Sequence, residues 1–274
     1  MTELAYRVVD VFSDRPLAGN GLCVVLDPCP EALMGPIGRE VNLSETTFPT
    51  VTGPCSYSVR IFTPSVELPF AGHPTLGTAW TLGPGTWTQT SPGATIEVVV
   101  DADGARMTQP EPTFAPSPAE GPRAALGLAA TAGCWVASAG GMCHLIVATE
   151  EPIADLRPDM GAARAATEAV GCLTFAVVGR RDDANLHVRV FVPGRGIVED
   201  PGTGSAAGPI ATIARQLWQT DRAVTISQGA EMGRPCVIEV QLTEAGPVVG
   251  GRVSACAEGR FTLGRVLGNS GPVH

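Results

Sequence analysis

The same passage occurs twice in this chain. Arg60–Ala79 reads RIFTP, a short gap, then ELPFAGHPTLGTA; Arg189–Ala211 reads RVFVP, a longer gap, then EDPGTGSAAGPIA. Arg60, Phe62, Pro64, Glu67 and Gly72 match Arg189, Phe191, Pro193, Glu199 and Gly204, and His73 falls where Ser205 falls. Each copy runs from an alternating strand pattern, through a turn, into small residues that can begin a helix. Two related halves are expected, with the active site between them. The copies differ where chemistry would occur, with His73 in one and Asp200 and Ser205 in the other. That asymmetry predicts one composite site with divided labour.

The rest of the chain fits such a body. At 274 residues, with 44% hydrophobic and 16% charged residues, it can bury a sizeable core in one large domain or two ordinary ones. The net charge of −9 and the scattered 18 Lys and Arg exclude nucleic acid and anionic membranes as expected partners. Eight cysteines include no CxxC pair, and the opening MTELAYRVVDVF is not a signal peptide. A cytoplasmic chain with mostly buried thiols is expected, and no run is long enough to span a membrane.

Period-two patterning dominates. Strands are predicted at Leu4–Phe12, Leu22–Leu26, Ser56–Thr63, Thr95–Asp101 and Ala105–Thr108. In the second half they are predicted at Cys134–Ser138, Cys143–Ala148, Leu173–Val178, Leu186–Val192, Ala223–Gln228, Val237–Leu242 and Val248–Ala255. Helices are predicted at Pro30–Glu40, His73–Leu82, Ala162–Val170 and Thr203–Trp218; the second and fourth are small and apolar on most sides, hence buried. Gln109–Pro122, with five prolines, reads as an extended linker where movement between the halves could be absorbed. The tail Gly268–His274 reads as frayed. Two similar units follow, 1–112 and 113–274, each a curved, mostly antiparallel sheet around one apolar helix in an α+β fold.

Gly72-His73-Pro74-Thr75 and Gly202-Thr203-Gly204-Ser205 both open helices. The first N–H groups of a helix lack partners and the dipole is positive there, so two such ends facing a cleft would hold a carboxylate or an enolate-like oxygen. Glycines that merely let helix and sheet pack would explain one copy; two matched copies favour function. His73 is the one histidine placed to pass a proton to a ligand, since His144, His187 and His274 sit in strand-like or terminal contexts without evident partners. No HExxH or Cys/His spacing suggests a metal. Asp200 would otherwise be a plain helix cap, and Glu45, in NLSETTF, a plain loop glutamate.

Taken together, VDVFSDRPLAGN (Val9–Asn20), NLSETTF, the two repeat copies and SQGAEMGRPCVIEV (Ser227–Val240) resemble the PhzF family of phenazine-biosynthesis-type isomerases, over nearly the whole chain and in the family's order. The resemblance implies a diaminopimelate epimerase-like fold of two pseudo-symmetric domains, each a barrel around a helix, working without cofactor or metal. The family's founding member isomerises a dihydro-hydroxyanthranilate by moving a proton along a conjugated system. By resemblance Glu45, His73, Asp200 and Ser205 are catalytic, and Asn20, Gly72, Thr203 and Gly204 hold a small carboxylate substrate. A homodimer is entertained as the one macromolecular assembly. The chain departs from the family in having Asn20-Gly21 for Asn-Pro, Gly202 for a frequent alanine, and a short segment between Leu26 and Asn42.

Three rivals are weighed. A two-thiol racemase would need cysteine at the helix starts, but those positions are Ala71 and Thr203, leaving only a one-base epimerase through Glu45. A nicotinamide dehydrogenase could use Gly202–Ala207 as GxGxxA, but Pro193–Pro201 separates strand from glycines, where the fingerprint needs a direct turn. A catalytically silent binding homologue would not need Glu45, His73, Asp200 and Ser205 together.

Overall fold

The computed structural model describes residues 2–194 and 197–264; the expected frayed tail and His274 lie outside them. The first half runs Thr2–Val11 (β1), Asn20–Val25 (β2), Glu31–Val41 (α1), Glu45–Gly53 (β3), Ser56–Phe62 (β4), Glu67–Leu68 (β5), Gly72–Leu82 (α2), Gly85–Thr90 (β6), Thr95–Asp101 (β7) and Gly104–Thr108 (β8). The second runs Thr113–Pro116 (β9), Glu120–Leu126 (α3), Gly133–Ala139 (β10), Met142–Thr149 (β11), Met160–Ala169 (α4), Thr174–Arg180 (β12), Asn185–Phe191 (β13), Glu199–Asp200 (β14) and Gly204–Trp218 (α5). It ends with Ala223–Gln228 (β15), Cys236–Thr243 (β16), Gly246–Gly251 (β17) and Val253–Leu263 (β18).

The halves repeat in pairing as well as in order. Strands β2 and β3 are parallel, as are β11 and β12. The same holds for β4 with β6 and β13 with β15. The register repeats too. Phe62 lies opposite Thr46 and Glu67, while Phe191 lies opposite Phe175 and Glu199. Stepping along these ladders places Thr174 where Glu45 stands, Asp200 where Leu68 stands, and His144 where Leu22 stands.

The sheet is continuous, and each half of it curls around its own helix. Helix α2 packs on β1, β2, β3, β6, β7 and β8, and α5 on β10, β11, β12, β16 and β17. Small residues make this possible. A Cβ on Gly77 would lie 2.7 Å from side-chain carbons of both Leu22 and Val11, so the strands close onto the helix only over glycine. The main core joins the two interiors, from Val9 and Leu76 to Ile210 and Ile238. Outside the sheets, α1 lies over Cys23, Val25 and Phe48, while α3 and α4 lie over Leu145, Val147 and Phe175.

The Arg, Phe and Glu shared by the repeats form a clip. Arg189 grips both oxygens of buried Glu199 at 2.9 and 2.8 Å, and Arg60 grips Glu67 at 2.7 and 2.7 Å. Each guanidinium also sits over the phenylalanine two residues on, at 5.0 and 5.3 Å from the ring centre. The planar fork matches a carboxylate bidentately, and so pins the short strand that leads into each helix.

Strand pairing crosses between 1–112 and 113–274 twice, where β8 meets β17 and where β18 lies along β1 from Thr2 to Val11. The proline-rich segment is built in rather than slack. Strand β9 pairs with β10, α3 starts at Glu120, and Gln109 is buried. A hinge in that segment, expected from its prolines, is therefore corrected. Gln109 repairs the start of α5. Pro209 inside this helix has no N–H, so the carbonyl of Ser205 loses its usual partner four residues on. In the neighbouring rung the Gln109 amide stands between helix groups: Gly208 N donates to its Oε1 at 3.2 Å, and its Nε2 donates to the Gly204 carbonyl at 2.9 Å.

Candidate active site

Helices α2 and α5 begin against one another. A Cβ on Gly72 would fall 2.6 Å from the backbone nitrogen of Ser205, and one on Gly204 would fall 3.2 Å from that of His73. Backbone meets backbone here, and glycine on both sides permits it. The unpartnered N–H groups of two helix starts thus converge on one place, with both dipoles positive toward it. The N-caps are Ala71 and Thr203, the positions where a two-thiol enzyme would need cysteine.

Around this junction lies a cleft of about 260 Å³, suited to a small molecule. Glu45, Gly72 and His73 line it from the first half, and Asp200, Thr203, Gly204 and Ser205 from the second. Leu68, Met142, Leu173 and Val192 supply apolar wall. Asn20 stands behind the cleft and ties the halves together. Its Nδ2 lies 3.1 Å from His73 Nδ1, 2.9 Å from Asp200 Oδ1 and 3.0 Å from the Gly202 carbonyl. An amide has two hydrogens for these three neighbours, so they share them.

The two carboxyl groups have different surroundings. Asp200 accepts from Asn20 and from the Thr203 hydroxyl, and Thr203 is held in turn by Gln228, whose Nε2 donates to Thr203 Oγ1 at 3.0 Å and to the Asp200 carbonyl at 2.8 Å. Burial raises the Asp200 pKa, and the Thr203 and Asn20 hydrogen bonds oppose it. Glu45 lacks such donors. Its Oε2 is 3.2 Å from His73 Nε2, yet neither atom is aligned in a hydrogen bond. Burial first, and the charge of Asp200 second, push the Glu45 pKa well above the usual carboxylate range. Burial pushes His73 down to about 3, so its ring is neutral. Burial thus shifts the Glu45 pKa up and the His73 pKa down, each toward its neutral form.

All eight residues singled out in the sequence meet here, seven as lining and Asn20 as the brace. Sequence reasoning missed Gln228. It lies inside SQGAEMG, a motif noted for its resemblance without a role for the glutamine; no local pattern shows that β15 delivers it to Thr203. His144 and His187 are not without partners: His144 Nδ1 lies 2.6 Å from Thr174 Oγ1, and His187 Nε2 lies 2.8 Å from Glu231. Gly202 is explained by Cys236, since a Cβ there would come within 2.7 Å of its sulfur. Among the described residues no three His, Cys, Asp or Glu side chains gather to hold a metal, and no helix is long and apolar enough to cross a membrane.

Known proteins share this architecture and sequence. Residues 9–254 match the family profile described as phenazine biosynthesis-like protein, PhzC-PhzF. A Pseudomonas aeruginosa protein named trans-2,3-dihydro-3-hydroxyanthranilate isomerase is 38% identical over 94% of this chain and 99% of its own. The solved structure of a predicted epimerase from the same species superposes with a TM-score of 0.83 at 29% identity, over 95% of this chain and all of that one. A hydroxyproline epimerase from Agrobacterium vitis, 12% identical, shares the fold alone, with a TM-score of 0.61 over 97% of this chain and 94% of its own. The fold is the two-part, diaminopimelate epimerase-like α+β architecture that the family resemblance implied. With the profile spanning Val9 to Ser254 and a relative matched nearly end to end, this chain belongs to the phenazine biosynthesis-like PhzC-PhzF family.

Proposed function

We propose that this chain is an isomerase that moves a proton on a small carboxylate-bearing substrate, with Glu45 as acid and base and without a cofactor. The observation that carries the reading is the environment of Glu45: a buried carboxyl with no hydrogen-bonded partner on Oε2, beside a cleft floored by two helix starts. A substrate carboxylate laid across the backbone N–H groups of His73 and Ser205 would meet the positive ends of both helices. Charge developing on the conjugated system would be stabilised by the same donors. Glu45 would take a proton from one carbon and return it at another, leaving enzyme and proton count unchanged. Its raised pKa suits a group that must both hold and release the proton near neutral pH. The Asn20 and Thr203 hydrogen bonds favour the charged form of Asp200 against its burial, and a charge there raises the Glu45 pKa.

Racemisation by two opposed bases is disfavoured by the position that matches Glu45 in the pseudo-symmetry. It is Thr174, which does not titrate. The named substrate of the Pseudomonas aeruginosa relative is the first to offer. Glu45→Gln keeps the shape and removes the proton. Turnover of trans-2,3-dihydro-3-hydroxyanthranilate, and solvent-deuterium uptake into its product, should fall by roughly 100-fold or more with unchanged melting. Normal turnover by the Gln variant moves the chemistry away from Glu45.

A further inference from the structure

The part of the cleft wall that the second half contributes carries a second polar arrangement at the position matching Glu45, present in one half only. It begins with Pro209. Because Pro209 brings no N–H, the Ser205 carbonyl has no helix rung to accept. The matching residue in α2 is Gly77, which does bring one. The fully buried ring of His144 lies near the Ser205 backbone, and its Nε2 has no aligned hydrogen-bond partner. A buried carbonyl and a buried ring nitrogen satisfy one another only if the nitrogen carries the hydrogen. With the hydrogen on Nε2, on the Ser205 side, Nδ1 is bare. The contact of 2.6 Å from Nδ1 to Thr174 Oγ1 is then donated by the threonine. Burial keeps the ring neutral, with a pKa down to about 4, which removes the alternative of two ring donors. With its hydrogen committed inward, the Thr174 hydroxyl has only lone pairs left, and Thr174 lines the cleft. In the first half the corresponding residues are Leu22 and Glu45, so no such relay exists there.

We propose that Thr174 recognises a hydrogen-bond donor on the substrate, its hydroxyl oxygen fixed as an acceptor by His144 acting as a positioning residue. This rests on the reading of the cleft as a carboxylate site. It assigns the substrate an N–H or O–H group, distinct from its carboxylate, on the side that the second half lines. A ligand with an acceptor at that point would face lone pair against lone pair and be rejected.

Two measurements test it. In calorimetric titration, benzoate supplies the carboxylate alone, while 2-aminobenzoate and 2-amino-3-hydroxybenzoate add donors. The wild type should bind a donor-bearing probe about tenfold more tightly than benzoate. Thr174→Val should abolish that preference and leave benzoate unchanged, and Thr174→Ser should keep it. A preference untouched by Thr174→Val, or an equal loss for all three probes, overturns the assignment. Independently of any ligand, 15N correlation spectra of histidine-labelled protein report the His144 tautomer, which should be Nε2–H. If benzoate itself does not bind, the carboxylate reading fails, and the tautomer alone then judges this proposal. An Nδ1–H ring overturns it in every case.

Discussion

The junction of the two helix starts can be tested by adding one carbon. In Gly72→Ala the new Cβ would sit 2.6 Å from Ser205 N and 2.8 Å from the Gly204 carbonyl carbon, both backbone atoms at the start of a packed helix. Neither can swing aside as a side-chain tip could. Restoring an ordinary contact of about 3.4 Å requires the helices to part by about 0.8 Å. The stability cost is moderate: overpacking costs about 1–3 kcal/mol, and alanine returns up to about 1 kcal/mol of helix preference. The functional cost should be larger, because an anion shared by both helix starts loses geometry on one side; a misplacement near 1 Å costs on the order of 100-fold. Gly204→Ala is the graded comparison, with its nearest contacts at 3.1 Å to the Phe12 ring and 3.2 Å to His73 N. It should lose less. Gly77→Ala, one turn along the same helix, presses only on Leu22 and Val9 and Val11 side chains, so it should lower melting and spare binding. Benzoate affinity and melting temperature, measured on all three, separate the effects. If Gly72→Ala binds as the wild type does, or if Gly77→Ala loses as much affinity, the helix starts do not hold the carboxylate.

Stability should depend on pH in two opposed ways. Native Glu45 holds a proton that the unfolded chain releases above the ordinary carboxylate range, so stability falls as pH rises through its raised pKa, and Glu45→Gln should flatten that slope in urea midpoints. His73 and His144, near 3 and 4, refuse protons that the unfolded chain takes up below about 6.5, so stability is also lost as pH falls from there; an alkaline limb identical in wild type and Glu45→Gln would assign it elsewhere. Alkylation should reach exposed Cys55 first and leave turnover intact, because burial pushes Cys23 up to about 12 and Cys134 up to about 11. Fast inactivation blocked by substrate would restore a catalytic thiol to consideration.

Much of the fold was legible because it is written in alternation and in the repeat. Most strands around α2 and α5 and the apolar helices themselves follow from local pattern, though Gly85–Thr90 went unread. What escaped was set by tertiary context. Glu45–Gly53 looks too polar for a strand, and pairs because β2 and β4 flank it. Thr113–Pro116 was hidden among prolines, yet as an outer strand it needs few of its own N–H groups. Val248–Ala255 reads as one strand and is two, since the chain leaves β16 for β1 at Arg252. Only half the cysteines are buried, where most were expected to be. The site was legible where the repeats disagree, at His73, Asp200 and Ser205. Gln109, Gln228 and His144 were not, because each acts on a residue far away in sequence.

The contact of Gly72 with Gly204 has a mechanical consequence. Two like-signed dipole ends pressed together repel, whereas each attracts a unit anion by a few tenths to about 1 kcal/mol. An anion between them turns that repulsion into a shared attraction, like a rivet through the seam of the two halves. Occupancy and cohesion then rise together, by about 2.7 kcal/mol when ligand stands at 100 times its dissociation constant. On the proposed reading the joint would be weakest when empty, and the molecule being worked on would for that moment be one of its structural parts.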